Sequence, residues 1–200
     1  MPAHPKYAFL RLMRQNREER PREEEPGRQL WSFANYPVIN VSWYDTVAYC
    51  RWLSEKLQLP IRLPAEWEWQ WAAVGSTQQD YPWGEWNEQR ANSREAGIGR
   101  TVAVGLYPLG RRPPREDVLV DDMAGNVWEW CLNEHEVPEN CQLSGSEARV
   151  LRGGSYSFYP HFVRASVRNY YLPDDRSYHR GFRVLCSSPI EPQIADAAER

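Results

Sequence analysis

The sequence predicts a single loop-rich domain that combines two helices with short strands. At 200 residues the chain has the length of one domain with a hydrophobic core. Ten tryptophans and eleven tyrosines accompany a mean hydropathy of −0.73, so a few large aromatic side chains are expected to build that core. Glycine and proline recur so often between residues 75 and 120 that this stretch is expected to contain turns and short strands.

Composition excludes several classes of protein. The formal net charge is −3 and no block of basic residues occurs, which argues against a nucleic-acid-binding surface. No apolar run approaches the roughly 20 residues of a membrane span, and the first thirty residues lack the apolar stretch of a secretory signal. We therefore expect a cytoplasmic protein without a membrane span.

The four cysteines do not form a metal-binding motif. No two of them have the C-x-x-C spacing and the four histidines are scattered, so a zinc site is not expected. The spacing of Cys131 and Cys141 permits a disulfide, but without a secretion signal we expect free thiols.

The chain divides into three regions. Residues 1–29 carry a run of mixed charges broken by two prolines and are predicted to be a charged linker or a trimmed N-terminal extension. The folded domain is predicted to span residues 30–186, with brief strands at 149–151 and 182–185. Residues 187–200 are predicted to be a polar tail.

The first predicted helix follows Ser42. Asp45 stands three residues later, as in a capping box, and apolar residues then recur at the spacing of one buried helix face. Cys50 lies on that face, so we expect a protonated and inert core thiol.

The second predicted helix follows Pro64, a residue suited to a first helical turn. Trp67, Trp71 and Val74 lie along one side of it, and Glu66 and Gln70 along another. Gly75 is expected to end it.

Four segments, in this order and spacing, carry a family resemblance. They are residues 36–50, residues 62–69, the segment Asp-Met-Ala-Gly-Asn-Val-Trp-Glu-Trp at 122–130, and Arg-Val-Leu-Arg-Gly-Gly-Ser at 149–155, which is followed by Gly-Phe-Arg-Val at 181–184. Together they resemble the formylglycine-generating-enzyme (sulfatase-modifying factor) branch of the C-type-lectin fold. The resemblance covers residues 30–186 and implies an α+β domain with two helices and small antiparallel sheets.

The resemblance also indicates which residues the enzyme activity of the family would require. Similar formylglycine-generating enzymes bind copper and activate oxygen with two cysteines, on the third and eighth residues after the Ser of Gly-Gly-Ser. Here those positions hold Phe158 and Val163, which cannot ligate copper or form a thiolate. We therefore expect a protein that is not an enzyme and requires no cofactor.

A structural calcium site is a second implication of the resemblance. Similar enzymes wrap calcium with the Gly-Asn-Val-Trp-Glu-Trp segment, and the matching positions are Asp122, Gly125, Val127 and Glu129. Oxygen ligands from a tight loop suit calcium. The alternative is that Asp122 and Glu129 only accept hydrogen bonds from backbone amides of that loop.

The segment 156–180 is unusually aromatic. Seven of its 25 residues are Phe or Tyr, and neither a period of 2 nor one of 3.6 would bury them all. Its mixture of Tyr, Ser, Asn, Asp and His resembles an antibody paratope. An exposed aromatic patch of this kind indicates an interaction site.

The same segment lacks five residue types. Lys, Glu, Gln, Met and Trp occur 43 times in the chain and never in residues 156–180, where roughly six would be expected from their frequency. Codons that end in a pyrimidine cannot encode these five residues. Their absence indicates a process that acts on the DNA of this segment.

In this respect the segment resembles the variable proteins of diversity-generating retroelements, in which adenine-directed mutagenesis by a reverse transcriptase rewrites selected codons. The resemblance implies fixed frame residues, which are Pro160, Arg164, Arg168, Pro173, Asp174 and Arg176. It also implies a ligand-binding set that consists of Tyr156, Ser157, Phe158, Tyr159, His161, Phe162, Asn169, Tyr170, Tyr171, Asp175, Ser177, Tyr178 and His179.

The sequence therefore favours a non-catalytic module that binds a protein or other macromolecule through this set. The frame arginines are expected to support the site by salt bridges and hydrogen bonds to carbonyls, or else to be ordinary surface charges. An alternative is that three of the tyrosines belong to the core instead, namely Tyr170, Tyr171 and Tyr178. For Phe158, Tyr170 and Tyr171, alanine is expected to leave folding nearly intact.

The alternative function is an enzyme or enzyme subunit on the same scaffold that uses other chemistry. A carbohydrate-binding lectin ranks last, because the segment lacks the Glu-Pro-Asn type of calcium motif.

Overall fold

The structure, a computed structural model, describes residues 33–111 and 120–186. The predicted linker, the predicted start of the domain at residue 30 and the polar tail lie outside these residues. The helices are α1 (Trp43–Leu57) and α2 (Glu66–Val74). The strands are β1 (Ile61–Arg62), β2 (Trp128–Glu134), β3 (Arg149–Arg152), β4 (Asn169–Tyr171), β5 (Arg180–Phe182) and β6 (Leu185–Cys186).

The start of α1 confirms the predicted capping box. The hydroxyl of Ser42 accepts a hydrogen bond from the backbone N–H of Asp45 at 3.1 Å, and the Asp45 carboxylate accepts one from the N–H of Ser42 at 2.8 Å. Trp43, Cys50 and Leu53 are buried on one face of the helix. Burial raises the pKa of Cys50 to about 12, so its thiol is protonated in the core as predicted.

Helix α2 ends at Gly75 as predicted, but Val74 is the one buried residue of the predicted side that holds Trp67, Trp71 and Val74. Trp67 and Trp71 are exposed, at 47% and 61%, while Trp69 is fully buried. The indole N–H of Trp69 donates to the carboxylate of Glu129 at 2.6 Å. In a helix this short, the helical period alone does not decide whether the side with Trp67 and Trp71 or the side with Trp69 is buried. The hydrogen bond to the buried Glu129 carboxylate favours Trp69.

Two small sheets complete the fold. The larger has the strand order β4-β3-β2-β5, and the smaller pairs β1 with β6 in antiparallel orientation. In the larger sheet, β2 runs antiparallel to β3 but parallel to β5, where the resemblance implied antiparallel pairing only. All seven residues of β2 are buried, which places this strand at the centre of the domain.

Several local predictions need correction. The strand predicted at 182–185 is two strands, β5 and β6, which belong to different sheets. Neither β2 nor β4 was predicted. Among the described residues of the stretch 75–120, three short 3-10 helices occur and the only strand-like pairing is a bridge between Tyr81 and Gly84.

Aromatic residues build the core as the composition predicts. One cluster contains Trp43, Trp128 and Trp130, and a second contains Trp69 with Met123. All four cysteines are free thiols, which confirms the expectation for Cys131 and Cys141. Neither helix in the described residues is long and apolar enough to cross a membrane.

Candidate binding surface

The aromatic segment leaves β3 through a turn that only glycine fits. Gly154 has φ +74°, and a Cβ atom there would lie 2.4 Å from Cγ1 of Val163. Val163 itself is fully buried. The close approach of Gly154 to Val163 anchors the 3-10 helix Pro160–Phe162 against the end of β3.

None of the thirteen predicted binding residues is buried. More than a third of the surface is exposed in Tyr159, His161, Phe162, Tyr170, Tyr171 and Tyr178. The half-buried members are Tyr156, Ser157, Phe158, Asn169, Asp175, Ser177 and His179. By contrast, Val163, Ala165 and Pro173 of the same segment are buried. The core alternative for Tyr170, Tyr171 and Tyr178 is therefore excluded.

Seven of these residues form one continuous group, which we call the loop cluster: Tyr156, Ser157, Phe158, Tyr159, His161, Phe162 and His179. Within it, the His161 ring lies 4.2 Å from the Phe162 ring and 6.2 Å from the Tyr159 ring, centroid to centroid. Phe158 meets Phe162 edge-on at 5.6 Å. Chain neighbours along the 3-10 helix thus share ring contacts.

His179 joins the loop cluster from the far end of the segment. Its ring centroid lies 5.0 Å from that of Tyr156, and its Nδ1 is 3.3 Å from Oγ of Ser157. Its carbonyl accepts the N–H of Trp128 at the start of β2, at 2.8 Å. Burial, with the nearby Arg180 charge, lowers the pKa of His179, so the neutral imidazole is favoured.

The β4 tyrosines, Tyr170 and Tyr171, form a separate part of the surface on the outer strand of the larger sheet. The Tyr170 ring lies 4.2 Å from the ring of His135. The Tyr171 ring lies 3.3 Å from the guanidinium carbon of Arg180, which is itself buried. Each ring therefore contacts one residue outside the predicted binding set.

The remaining binding candidates lie in the connection between β4 and β5. The N–H of Asp175 donates to the carbonyl of Leu172 at 3.1 Å, and the carbonyl of Ser177 accepts the N–H of Asn40 at 3.0 Å. Tyr178 follows with its side chain 38% exposed. Backbone hydrogen bonds thus hold this connection while its side chains face solvent.

The frame arginines hold the segment by contacts to acidic residues elsewhere in the fold. Arg168 donates to both carboxylate oxygens of Glu66 on α2, at 2.7 and 2.9 Å. Arg176 does the same to Asp45 on α1, at 3.0 and 3.1 Å. Paired hydrogen bonds of this kind fix orientation as well as distance.

Other frame residues contribute less charge pairing. Arg164 lies 3.9 Å from the carboxylate of Asp80 and donates to the carbonyl of His161 at 3.1 Å. The carbonyl of Pro173 accepts the N–H of Trp43 at the start of α1, at 2.9 Å. Asp174 is exposed.

Two residues that border this surface could not be predicted from sequence. The guanidinium of Arg94 lies over the Tyr159 ring at 4.7 Å, and His135 stacks on Tyr170. Both lie far from residues 156–180 in the chain, so no local pattern could connect them to the segment.

The predicted calcium loop already holds a cation that the chain supplies. Arg183 donates to both carboxylate oxygens of Glu129, and the same carboxylate accepts the Trp69 indole. Arg183 also donates to the carbonyls of Asp121 and Asp122, at 3.2 and 3.3 Å. A calcium ion bound by Glu129 would have to share this carboxylate with Arg183 and Trp69 or displace one of them.

The other members of the calcium set make backbone contacts. The Asp122 carboxylate accepts the N–H of Gly105 at 2.8 Å, and burial raises its pKa to about 6. The N–H of Val127 donates to the carbonyl of Gly125 at 2.9 Å. The amide bound by Asp122 lies outside the loop and Glu129 accepts side-chain donors, so the backbone-amide alternative describes neither residue as stated, and calcium binding stays a prediction.

The two positions of the copper cysteines are occupied by packed side chains. The Phe158 ring meets Trp128 edge-on at 5.6 Å, and Val163 is fully buried. Cys186 lies on β6 beside β1 and matches neither position.

Comparison with known proteins now identifies the family. The protein-family model for the sulfatase-modifying factor enzyme 1-like domain matches residues 6–188 of the sequence. The chain belongs to the sulfatase-modifying factor family.

Relatives within this family include active and inactive enzymes. The inactive C-alpha-formylglycine-generating enzyme 2 of Bos taurus is 33% identical over 179 residues, which cover 84% of this chain and 56% of the relative. The formylglycine-generating enzyme of Thermomonospora curvata is 33% identical over 186 residues, with 80% and 58% covered. The chain thus spans little more than half the length of these relatives.

Solved structures of the same fold include the variable protein 1 of Treponema denticola. It is 25% identical with a TM-score of 0.64, over 84% of this chain and 78% of that protein. CarF is 22% identical with a TM-score of 0.66, over 91% and 83%, and shows the fold alone. This sulfatase-modifying factor domain therefore has the predicted α+β, C-type-lectin-like fold, which it shares with a variable protein.

Proposed function

We propose that this sulfatase-modifying factor domain is a non-catalytic binding module, a variable protein of a diversity-generating retroelement. Its site is the surface formed by the loop cluster, the β4 tyrosines and the connection to β5. The ligand is a protein or other macromolecule, recognised by Tyr and Phe anchors with polar contacts around them.

One observation carries the proposal. All thirteen candidate positions are at least partly exposed, whereas the residues that hold the segment in place are buried or paired with acidic side chains on α1 and α2. Side chains at the exposed positions can change without disturbing the core, whereas Phe158 also packs against Trp128. The fold shared with the variable protein 1 of Treponema denticola supports the same function.

Two further observations support a non-catalytic role. Phe158 and Val163 occupy the places of the copper-binding cysteines and have no group that can activate oxygen. The buried Cys131 is no substitute, because burial raises its pKa well above the usual range and so keeps the thiol protonated.

The DNA around the gene provides the most direct test. We expect a nearby imperfect copy of the sequence that encodes residues 156–180, next to a reverse-transcriptase gene. The differences should fall at adenines of that copy and at codons of the thirteen positions. A genome in which this segment has no such copy would contradict the retroelement assignment.

An assay for the family reaction tests the enzyme alternative. The full chain, supplied with copper, oxygen and a thiol reductant that provides the second pair of electrons, is incubated with a cysteine-containing sulfatase peptide, and mass spectrometry follows conversion of the thiol to the aldehyde. We expect no conversion, and the Phe158→Cys/Val163→Cys double variant shows whether the scaffold can regain it. Conversion by the unmodified chain would overturn the non-catalytic assignment.

A further inference from the structure

A groove outside the aromatic segment lies beside the loop cluster. It has a volume of about 740 Å³ and is lined by the two half-buried indoles of Trp83 and Trp86. Its polar lining consists of Gln78, Gln79, Asp80, Glu85, Asn87 and Arg90. These residues lie outside the thirteen candidate positions.

Three contacts fix the groove to the aromatic segment. The carbonyl of Asp80 accepts the N–H of Ala165 at 2.7 Å, and the Tyr81 hydroxyl donates to the carbonyl of Pro160 at 3.1 Å. The Asp80 carboxylate also lies 3.9 Å from Arg164. A ligand in the groove would therefore lie next to the 3-10 helix of the loop cluster.

The aromatic part of the groove is rigid before any ligand binds. Tyr81 is buried and stacks on Trp83 at 5.5 Å, with an angle of 13° between the rings, and it lies 5.0 Å from Trp86. The Trp86 indole donates to the Glu95 carboxylate at 2.9 Å. The two lining indoles are inclined to one another by 44°, and rings held in this way provide apolar surface at little entropic cost.

The polar lining restricts the chemistry of the ligand. Carboxamides and carboxylates would lose hydrogen bonds to water against an apolar ligand. The lining carries two carboxylates, Asp80 and Glu85, against one guanidinium, Arg90, and this balance disfavours an anion. A ligand with hydroxyl groups and an apolar C–H face suits both the polar side chains and the indoles of the lining.

We propose that this groove binds a neutral oligosaccharide, with a sugar ring against the indoles and its hydroxyls on the amide and carboxylate side chains. The site uses no metal ion. It also does not depend on the proposed function, since none of its lining residues belongs to the thirteen candidate positions.

Calorimetry and tryptophan fluorescence test the proposal on the full chain. The probes are the unbranched hexasaccharides of glucose, N-acetylglucosamine, mannose and galactose. We expect at least one to bind with a Kd of about 1 mM or tighter. Gln79→Ala and Glu85→Ala should each weaken that binding about 2- to 10-fold through a lost hydrogen bond. Trp86→Ala should weaken it about 10-fold or more, since it removes the platform.

Two matched controls separate this site from the rest of the surface. Trp67→Ala removes an exposed tryptophan on α2, and Tyr170→Ala removes a ring of the proposed binding surface. Both should leave sugar binding unchanged. If Trp86→Ala does not fold, Gln79 and Glu85 still provide the test because their side chains are exposed. Lack of binding to all four sugars, or binding that Gln79→Ala and Glu85→Ala leave unchanged, would overturn the proposal.

Discussion

The loop cluster and the β4 tyrosines expose similar side chains but hold them differently. In the loop cluster the rings rest on one another, and Phe158 contacts both Phe162 and His179. On β4, Tyr170 rests on His135 and Tyr171 on Arg180. A change in the loop cluster therefore alters the surroundings of its neighbours, whereas a change on β4 alters one contact. Positions on β4 are the more independent of the two sets.

Among the variants that distinguish the loop cluster from the β4 tyrosines, Gly154→Ala should lower stability most, because Gly154 supports the loop cluster and not β4. The new methyl group would lie 2.4 Å from Val163 at a backbone angle that disfavours alanine. We expect a loss of about 2–4 kcal/mol of unfolding free energy. Chemical denaturation measures it.

Gly97→Ala is the matched control for Gly154→Ala. Gly97 has φ +69°, similar to Gly154, but a Cβ atom there would meet nothing within 4 Å. Its cost should be about 1 kcal/mol, the backbone term alone. Equal losses in the two variants would show that the contact with Val163 does not limit the loop cluster.

Phe158→Ala should have the next largest effect. The half-buried ring packs on Trp128 at the edge of the core, so its removal should cost about 2 kcal/mol. Tyr170→Ala removes a ring that is 53% exposed and should cost about 0.5 kcal/mol or less. Thermal or chemical unfolding of both variants distinguishes the two halves of the surface.

This difference revises the expectation from sequence that alanine at Phe158 would leave folding nearly intact. That expectation treated all exposed aromatics as equivalent, whereas Phe158 also fills space beside Trp128. If Tyr170→Ala destabilised the domain as much as Phe158→Ala, the claim that β4 positions are independent would fail.

Local signals predicted the parts of the fold that local contacts determine. The capping box and the apolar spacing of α1 involve residues a few positions apart, so Ser42, Asp45 and Cys50 could be placed from sequence. The buried side of α2 could not, because Glu129 selects Trp69 from a distant part of the chain. Strand β2 was missed because a strand buried on both faces shows no alternation of polar and apolar residues.

The candidate site was predictable in part for the same reason. Composition and the lack of periodicity indicated exposed rings in residues 156–180, and the structure exposes them. The contacts that distinguish its two halves were not predictable, since Arg94, His135 and Trp128 approach from other elements. Sequence could therefore locate the surface but not its internal organisation.

Arg168→Ala should have a smaller effect than Phe158→Ala and should act on the β4 side. It removes paired hydrogen bonds to Glu66 and a third to the carbonyl of His135. We expect about 1 kcal/mol of lost stability, since the pair is partly exposed. Hydrogen exchange should be faster at the amides of β4 and unchanged at Phe162.

Arg164→Ala is the comparison for Arg168→Ala. Arg164 lies 3.9 Å from Asp80, beyond hydrogen-bond distance, so its loss should cost only a few tenths of a kcal/mol. A larger loss in Arg164→Ala than in Arg168→Ala would contradict the role given to the paired contact with Glu66.

The smallest expected effect is a pH dependence of the loop cluster. His179 has a pKa below its usual value of 6.5 because of burial and the Arg180 charge. As pH falls through 6.5, the unfolded chain binds a proton before the folded one does, so stability is lost on acidification. The decrease in Tm between about pH 7.5 and about pH 5.5 should be smaller in His179→Gln than in the unmodified chain.

His179→Gln must be compared with the unmodified chain because Asp122 changes stability with pH in the opposite direction to His179. Its pKa is raised to about 6, so the folded state binds that proton first and stability increases as pH falls. This contribution is common to both proteins and cancels in the difference between them. If Tm decreased equally on acidification in His179→Gln and in the unmodified chain, protonation of His179 would not be coupled to the packing of Tyr156 and Phe158. The loop cluster would then be no more sensitive to pH than the β4 tyrosines.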